Sequence, residues 1–481
     1  MTGVPGCGGA SGRASGGASP GASGAGPSRR SLLRGAAGLA TAGALAGCAD
    51  AGQRWGFGTR SGTAGKTRLT YALWDTFQQV GYQASAAEFM RRHPSIEVVV
   101  QQIPYANYQP KITASYISGD TPDLFWINTP FLANWIDQGI VTDITDRVAA
   151  DRVDLTGYYP SLVSLHERRG RLYGLPKDWD TIALYSNKKL LAKARVEPPA
   201  ELTWAPDGSG TFLPFLRSIT LDGRGRNAAQ AGFDPDDVAQ YAIGVSNDPQ
   251  SGYGSYLADN GGGVIAQAYA TTATIDTPQN LATMEYLLRT LRDAHVLVPP
   301  AQMGPNGNGD SAQSLFAQQR VVLFQAGDWN TSAVASLTTG FDVGVLRLPT
   351  GPKGNFSVFN GLTDGISTDT PHPDEAWELA KWLGGPESQR IMGAGGYIWP
   401  AIEALDPLFL QYWKKKNIDL TPFLDAAKGK TVNYPVSYGM AEAVTDIGTR
   451  FGPAFLGETS VAHALAGAQQ AATYRMRSAV A

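Results

Sequence analysis

Residues 171–191 read RLYGLPKDWDTIALYSNKKLL. An apolar, strand-like segment (Leu172, Tyr173, Leu175) runs into Pro176. A polar and aromatic insert follows, Lys177-Asp178-Trp179-Asp180, and a second β-prone run from Thr181 to Tyr185 closes on Ser186-Asn187-Lys188. Proline fixes φ and brings no N–H to a sheet ladder, so Pro176 ends the first strand and leaves Asp178 and Asp180 there, flanking Trp179. Carboxylates accept hydrogen bonds from hydroxyls, and an indole face covers the apolar C–H side of a pyranose, so the seam suits a sugar. From these residues alone, a solvated turn around a core tryptophan reads equally well.

On the N-terminal side the chain alternates. Arg68–Trp74 reads as a strand, 82–92 as a helix ended by His93-Pro94, and Ile96–Ile103 as a strand. A second helix over 108–118 is broken by Gly119-Asp120-Thr121-Pro122, and a short strand over 123–127 leads into Asn128-Thr129-Pro130-Phe131. Strand and helix in alternation is the grammar of an open α/β sheet, whose ligands sit at the carboxyl ends of strands. That rule places Trp74, Thr76, Asn128 and Thr129 on one rim.

On the C-terminal side, Tyr241–Val245 is a strand ending in Asn247-Asp248-Pro249-Gln250-Ser251-Gly252-Tyr253. Leu281, Met284, Leu287, Leu288 and Leu291 recur at helical spacing. Residues 311–319 read as a helix and 321–325 as a buried strand ending at Asp328-Trp329-Asn330. Phe341–Leu346 is a further strand, and Asp374–Leu383 is a helix with Trp377 and Trp382 facing inward. Gly395-Gly396-Tyr397-Ile398-Trp399-Pro400 is an aromatic loop, and the chain from Gly439 onward is mostly helical.

With 481 residues, 43% of them hydrophobic and 17% charged, the chain can bury two sizeable cores. A formal net charge of −3 gives no basic footprint for nucleic acid. Residues 1–27 are nearly all Gly, Ala, Ser and Pro. Ser28-Arg29-Arg30-Ser31-Leu32-Leu33-Arg34 and an apolar stretch then lead to Leu45-Ala46-Gly47-Cys48. A basic region followed by a short apolar run is an export signal. The paired arginines resemble a twin-arginine signal, and Leu-Ala-Gly-Cys resembles a lipobox, which implies residues 1–47 as signal peptide and Cys48 as the lipidated first residue. Residues 48–66 read as a flexible tether. Cys7 and Cys48 are the two cysteines, so the exported chain has no disulfide and no thiol nucleophile.

Four stretches together resemble the extracellular solute-binding proteins of ABC importers, in the sugar-binding branch similar to maltose-binding protein. They are GDTPDLFWINTPFLANWIDQGIVTDIT (119–145), YGLPKDWDTIALYSNKKLL (173–191), FAQQRVVLFQAGDW (316–329), and NGLTDGIS (360–367) with the HPDEAWELAKWLGGPESQRIM that follows. The resemblance implies an α/β, two-lobed fold of the periplasmic-binding-protein kind, with a hinge and an interlobe ligand cleft. It implies lobes of 67–178 plus 359–405 and of 179–358 plus 406–481, with crossings near Pro176–Asp180, Val358–Gly361 and Asp406. It also implies Trp126–Phe131 as a stretch that hydrogen-bonds sugar hydroxyls, Asp180 as an acidic contact, and Trp329, next to Asp328, as a stacking platform. Thr129 stands where maltose-binding protein has an acid, which argues against maltose. Asn360, Gly361, Trp399, Tyr253 and Tyr438 complete the expected ligand set with Trp74, Thr76, Asn128 and Asp178.

The expected protein is then a monomeric, lipid-anchored receptor on the extracellular face of the membrane, without metal or cofactor, that passes a carbohydrate to permease subunits. The rival readings are a secreted glycoside-hydrolase-like enzyme and a polysaccharide-binding lipoprotein without transport. Asp178 and Asp180 could suggest the acid pair of a hydrolase, which needs an acid and a base or nucleophile flanking the bond. The five histidines (93, 166, 295, 372, 463) form no metal-spaced pair, and no G-x-S-x-G elbow or Walker loop occurs.

Overall fold

The computed structural model describes residues 65–303 and 309–480. The expected signal peptide, Cys48 and the expected tether up to residue 64 therefore lie outside the described residues. Strand β1 (Thr67–Leu73) passes into helix α1 (Thr76–Arg92), strand β2 (Ile96–Gln102), helix α2 (Tyr105–Ser118), strand β3 (Leu124–Ile127) and helix α3 (Thr129–Asp137). Both α1 and α2 begin earlier than their apolar spacing predicts. For α1 the cause is Asp75, whose side chain accepts from Phe77 N and Gln78 N as an N-cap. Helix α2 ends as expected at Gly119, in the left-handed region at φ 70°.

β1 pairs in parallel with β2 and β3, and the strand Thr363–Ile366 closes this sheet antiparallel to β3. Leu69, Tyr71, Phe89, Leu124, Ile127 and Trp135 form its core. Trp377 and Trp382 of the helix Pro373–Gly384 and Met392 of Pro386–Ala394 cover it. The second sheet has the order Val343–Leu346, Ile182–Asn187, Val321–Gly327, Val238–Gly244, Leu221–Asp222. It is mixed, since Val321–Gly327 runs parallel to Val238–Gly244 but antiparallel to Ile182–Asn187. One set of core residues includes Leu184, Ile243, Leu323, Met440 and Phe451, and another includes Tyr185, Phe324, Phe409, Trp413 and Phe423. The helical periodicity around Leu281–Leu291 is present, although the segment passes through a π-helical turn at Tyr286–Thr290.

Two stretches lie side by side between the sheets. Asp180 N donates to Asn360 O at 2.9 Å, and Asn360 N donates to Asp180 O at 3.2 Å. Pro176 bridges Thr363, and Asp178–Trp179 pairs antiparallel with Trp399–Pro400. The insert after Pro176 is therefore a link and not a solvated turn. A parallel pair, Phe356–Phe359 with Lys430–Asn433, runs beside them, and Tyr434 N donates to Phe359 O. Among the described residues no helix is long and apolar enough to cross a membrane.

Candidate functional site

The link segments and the carboxyl ends of both sheets' strands enclose a cavity of about 720 Å³. From the first sheet come Trp74, Asp75 and Thr76, which follow β1, together with Tyr105 and Asn128. From the second come Asn247, Asp248, Gln250 and Ser251 after Val238–Gly244, and Asp328, Trp329 and Asn330 after Val321–Gly327. Asp178, Trp179, Asp180 and Asn360 of the link form the floor, and Tyr397, Trp399, Phe409 and Tyr434 complete the wall.

The polar groups are held in place by their own partners. Asp178 Oδ1 accepts from Leu362 N at 2.7 Å, Asp180 Oδ1 from Gln250 Nε2 at 2.7 Å, and Asp328 Oδ2 from Thr181 N at 3.1 Å. Asp248 Oδ1 accepts from Gln250 N and from Ser251 Oγ. Asn360 Nδ2 donates to Asn128 Oδ1 at 3.0 Å, and Thr129 Oγ1 donates to Asn360 Oδ1 at 3.0 Å, so the amide of Asn360 is fixed from both ends. On the aromatic side, Trp179 and Trp399 stack at 4.6 Å, while Trp74 meets Tyr105 and Tyr108 edge to face.

Five carboxylates (Asp75, Asp178, Asp180, Asp248, Asp328) line the cavity, and no Lys, Arg or His among the described residues does. Burial raises the Asp178 carboxyl to about 7. Asp180 and Asp328 stand well above the usual carboxylate range, first through burial and then through repulsion from neighbouring aspartates. The adjacent cation, Lys177, reaches away from the cavity. Its Nζ is 3.1 Å from Asp364 Oδ1 and 3.8 Å from the centre of the Trp126 ring, and burial lowers it to about 8. A wall of carboxylates, amides and ring faces can accept hydroxyl hydrogen bonds and cover C–H surface. Among the described residues no group of three or more His, Cys, Asp or Glu could hold a metal ion.

Of the residues singled out from the sequence, Trp74, Thr76, Asn128, Asp178, Asp180, Asp328, Trp329, Asn360 and Trp399 line this cavity. Five do not. Trp126 is fully buried in the first core, with its indole N–H donating to Tyr71 Oη at 2.6 Å, because β3 is covered on both faces. Thr129 lies one layer behind the wall, holding Asn360. Gly361 packs its backbone on the link, where a Cβ would come 2.4 Å from Asp178 O. Tyr253 is in the second core against Phe451. Tyr438 lies against the guanidinium of Arg168, 4.9 Å from its ring centre, and beside Tyr269.

Tyr397, a rim candidate beside Trp399 in the aromatic loop, also lines the wall, whereas Tyr105, Asp248, Gln250 and Tyr434 are wall residues that the sequence reading left out. The strand-end rule that found Asn128 applies equally to Asp248 and Gln250. Tyr434 had no such signal, because only the pairing of Lys430–Asn433 beside Phe356–Phe359 brings it to the cavity.

The sequence model of the family described as "Bacterial extracellular solute-binding protein" matches residues 75–390. The chain belongs to that family. Among solved structures, UspC of M. tuberculosis is 31% identical with a TM-score of 0.69, covering 85% of this chain and 100% of its own. The ABC substrate-binding protein Lmo0181 from Listeria monocytogenes, solved in complex with cycloalternan, is similar in fold at a TM-score of 0.74 and 19% identity, over 86% of this chain and 99% of its own. The maltotriose-binding protein of Pyrococcus abyssi is 22% identical over 307 residues, 63% of this chain, and the match spans 59% of that protein's length. The two-lobed α/β architecture of this extracellular solute-binding protein is thus that of its family, with the cavity between the lobes.

Proposed function

We propose that this solute-binding protein captures a mono- or oligosaccharide in the cavity and delivers it, lobes closed, to the permease of an ABC importer. The lobes are 67–178 plus 359–405 and 179–358 plus 406–481. Cys48 carries the lipid that holds the receptor at the extracellular face of the membrane. One observation carries the reading. Carboxylates and amides from both lobes and from the link converge with the half-buried ring of Trp329 on a single space. Contacts offered by both lobes at once are complete only in the closed state, so binding and closure are coupled. The likeness to the maltotriose-binding protein of Pyrococcus and to the Listeria protein in complex with cycloalternan supports a carbohydrate.

Calorimetric titration with a carbohydrate panel tests this. Trp329→Ala should weaken the best ligand by about 2 kcal/mol or more, and a wild-type protein that takes up no carbohydrate would overturn the reading. Incubation with the bound sugar separates it from the hydrolase reading, because a receptor retains its ligand stoichiometrically whereas a hydrolase turns it over. For the anchor, Cys48→Ser should move the protein from the membrane fraction to the soluble one.

A further inference from the structure

Two half-buried rings reach the cavity wall from opposite lobes, and both lie on bare glycine backbone. Trp329 packs against the second core and Tyr397 against the first. A Cβ on Gly327 would fall 1.7 Å from Cζ3 of Trp329 and 2.1 Å from its Cε3. Optimal carbon contacts are about 3.5–4.0 Å. Gly327 itself has φ −81° and ψ 164°, an extended conformation open to any residue, so the backbone does not call for glycine there. The ring does.

The same arrangement recurs at a second ring of the wall. Gly81 is buried in the interior of α1, where glycine is unfavourable relative to alanine. A Cβ on it would lie 2.5 Å from Cδ2 and 2.7 Å from Cγ of Tyr397, with Sδ of Met392 at 2.8 Å. The loop carrying Tyr397 also meets the segment after Trp329, as Ser332 Oγ donates to Gly396 O at 3.5 Å.

We infer that Gly327 and Gly81 are positioning residues of the ligand site, whose missing Cβ atoms set how deep Trp329 and Tyr397 stand and hence the width of the slot between them. A methyl group at either position lifts its ring off the backbone and narrows that slot. This inference rests on the cavity being the carbohydrate site.

The test is a double-mutant cycle read by calorimetry with the carbohydrate that the wild-type protein binds best. Gly327→Ala should weaken binding ~10-fold or more, change the near-ultraviolet circular dichroism of the tryptophans, and leave the melting temperature near that of the wild type. In a Trp329→Ala background, Gly327→Ala should alter affinity by no more than ~2-fold. Gly81→Ala with Tyr397→Ala gives the same cycle at the second ring should Gly327→Ala fail to fold. Wild-type binding with unchanged affinity in the glycine variants overturns the assignment alone, as does a loss that persists when the ring is gone. Absence of carbohydrate binding by the wild type overturns both this inference and the functional reading beneath it.

Discussion

Asp178 holds the link together and faces the cavity at once, and its protonation expresses the conflict. One oxygen accepts from Leu362 N, while burial lifts the carboxyl from its ordinary range near 4 to about 7. Between those two values the folded protein keeps a proton that the unfolded chain gives up, so the contribution of this group to stability is lost as pH rises from about 4 through 7. Asp178→Asn can still accept from Leu362 N but has no charge to desolvate. Urea denaturation should show the variant gaining on the wild type as pH goes from 5 to 8. His166, held down to about 3 by burial, tilts stability the opposite way below its ordinary value, but it is common to both proteins and cancels in the comparison. That Asp178 and Asp180 both belong to the cavity was half legible in the sequence, because the proline before them marks a strand end but leaves a solvated turn equally open. That Trp126 does not was illegible, because a tryptophan in a four-residue strand reads the same whether one face or both are covered.

The elements themselves were legible wherever apolar spacing ran long, as in β1, β2 and the helix Pro373–Gly384. Their starts were less so, because a cap outranks the spacing behind it. Helix α1 shows this, since Asp75 caps it and also lines the cavity. Asp75→Ala should lose about 1 kcal/mol of stability in chemical denaturation, whereas Asp75→Asn, which keeps an acceptor, should lose much less. The ladder between β3 and Thr363–Ile366 depends on a second local device. Lys177 from the link is fully buried against Asp364, which also accepts from Tyr71 Oη at 2.8 Å. Removing one partner of a buried pair strands the other, so Lys177→Met should destabilise by about 3–5 kcal/mol. Lys177→Met/Asp364→Asn should recover part of that loss, as measured by thermal and chemical unfolding.

At the scale of the molecule, the strand–helix alternation and the four sequence stretches made the two-lobed fold legible, because each is local. The wall of the cavity was only partly so. It gathers Tyr105, Asp248 and Tyr434 from segments far apart in the chain, and their meeting depends on tertiary pairing that no short window records. The charge of the assembled site leads to a prediction about ligands. With no cation lining it among the described residues to offset a buried charge, the cavity should bind a uronic acid more weakly than the neutral sugar of the same stereochemistry, a difference calorimetry can measure. Small-angle scattering should show the radius of gyration falling when the neutral ligand is added.

The reciprocal bonds between Asp180 and Asn360 make the connection between the lobes a two-ply ribbon. Under the proposed closure this ribbon is the pivot, and Asp180 and Asn360 stand within it. A guest seated on their side chains would then keep that footing while the lobes part around it.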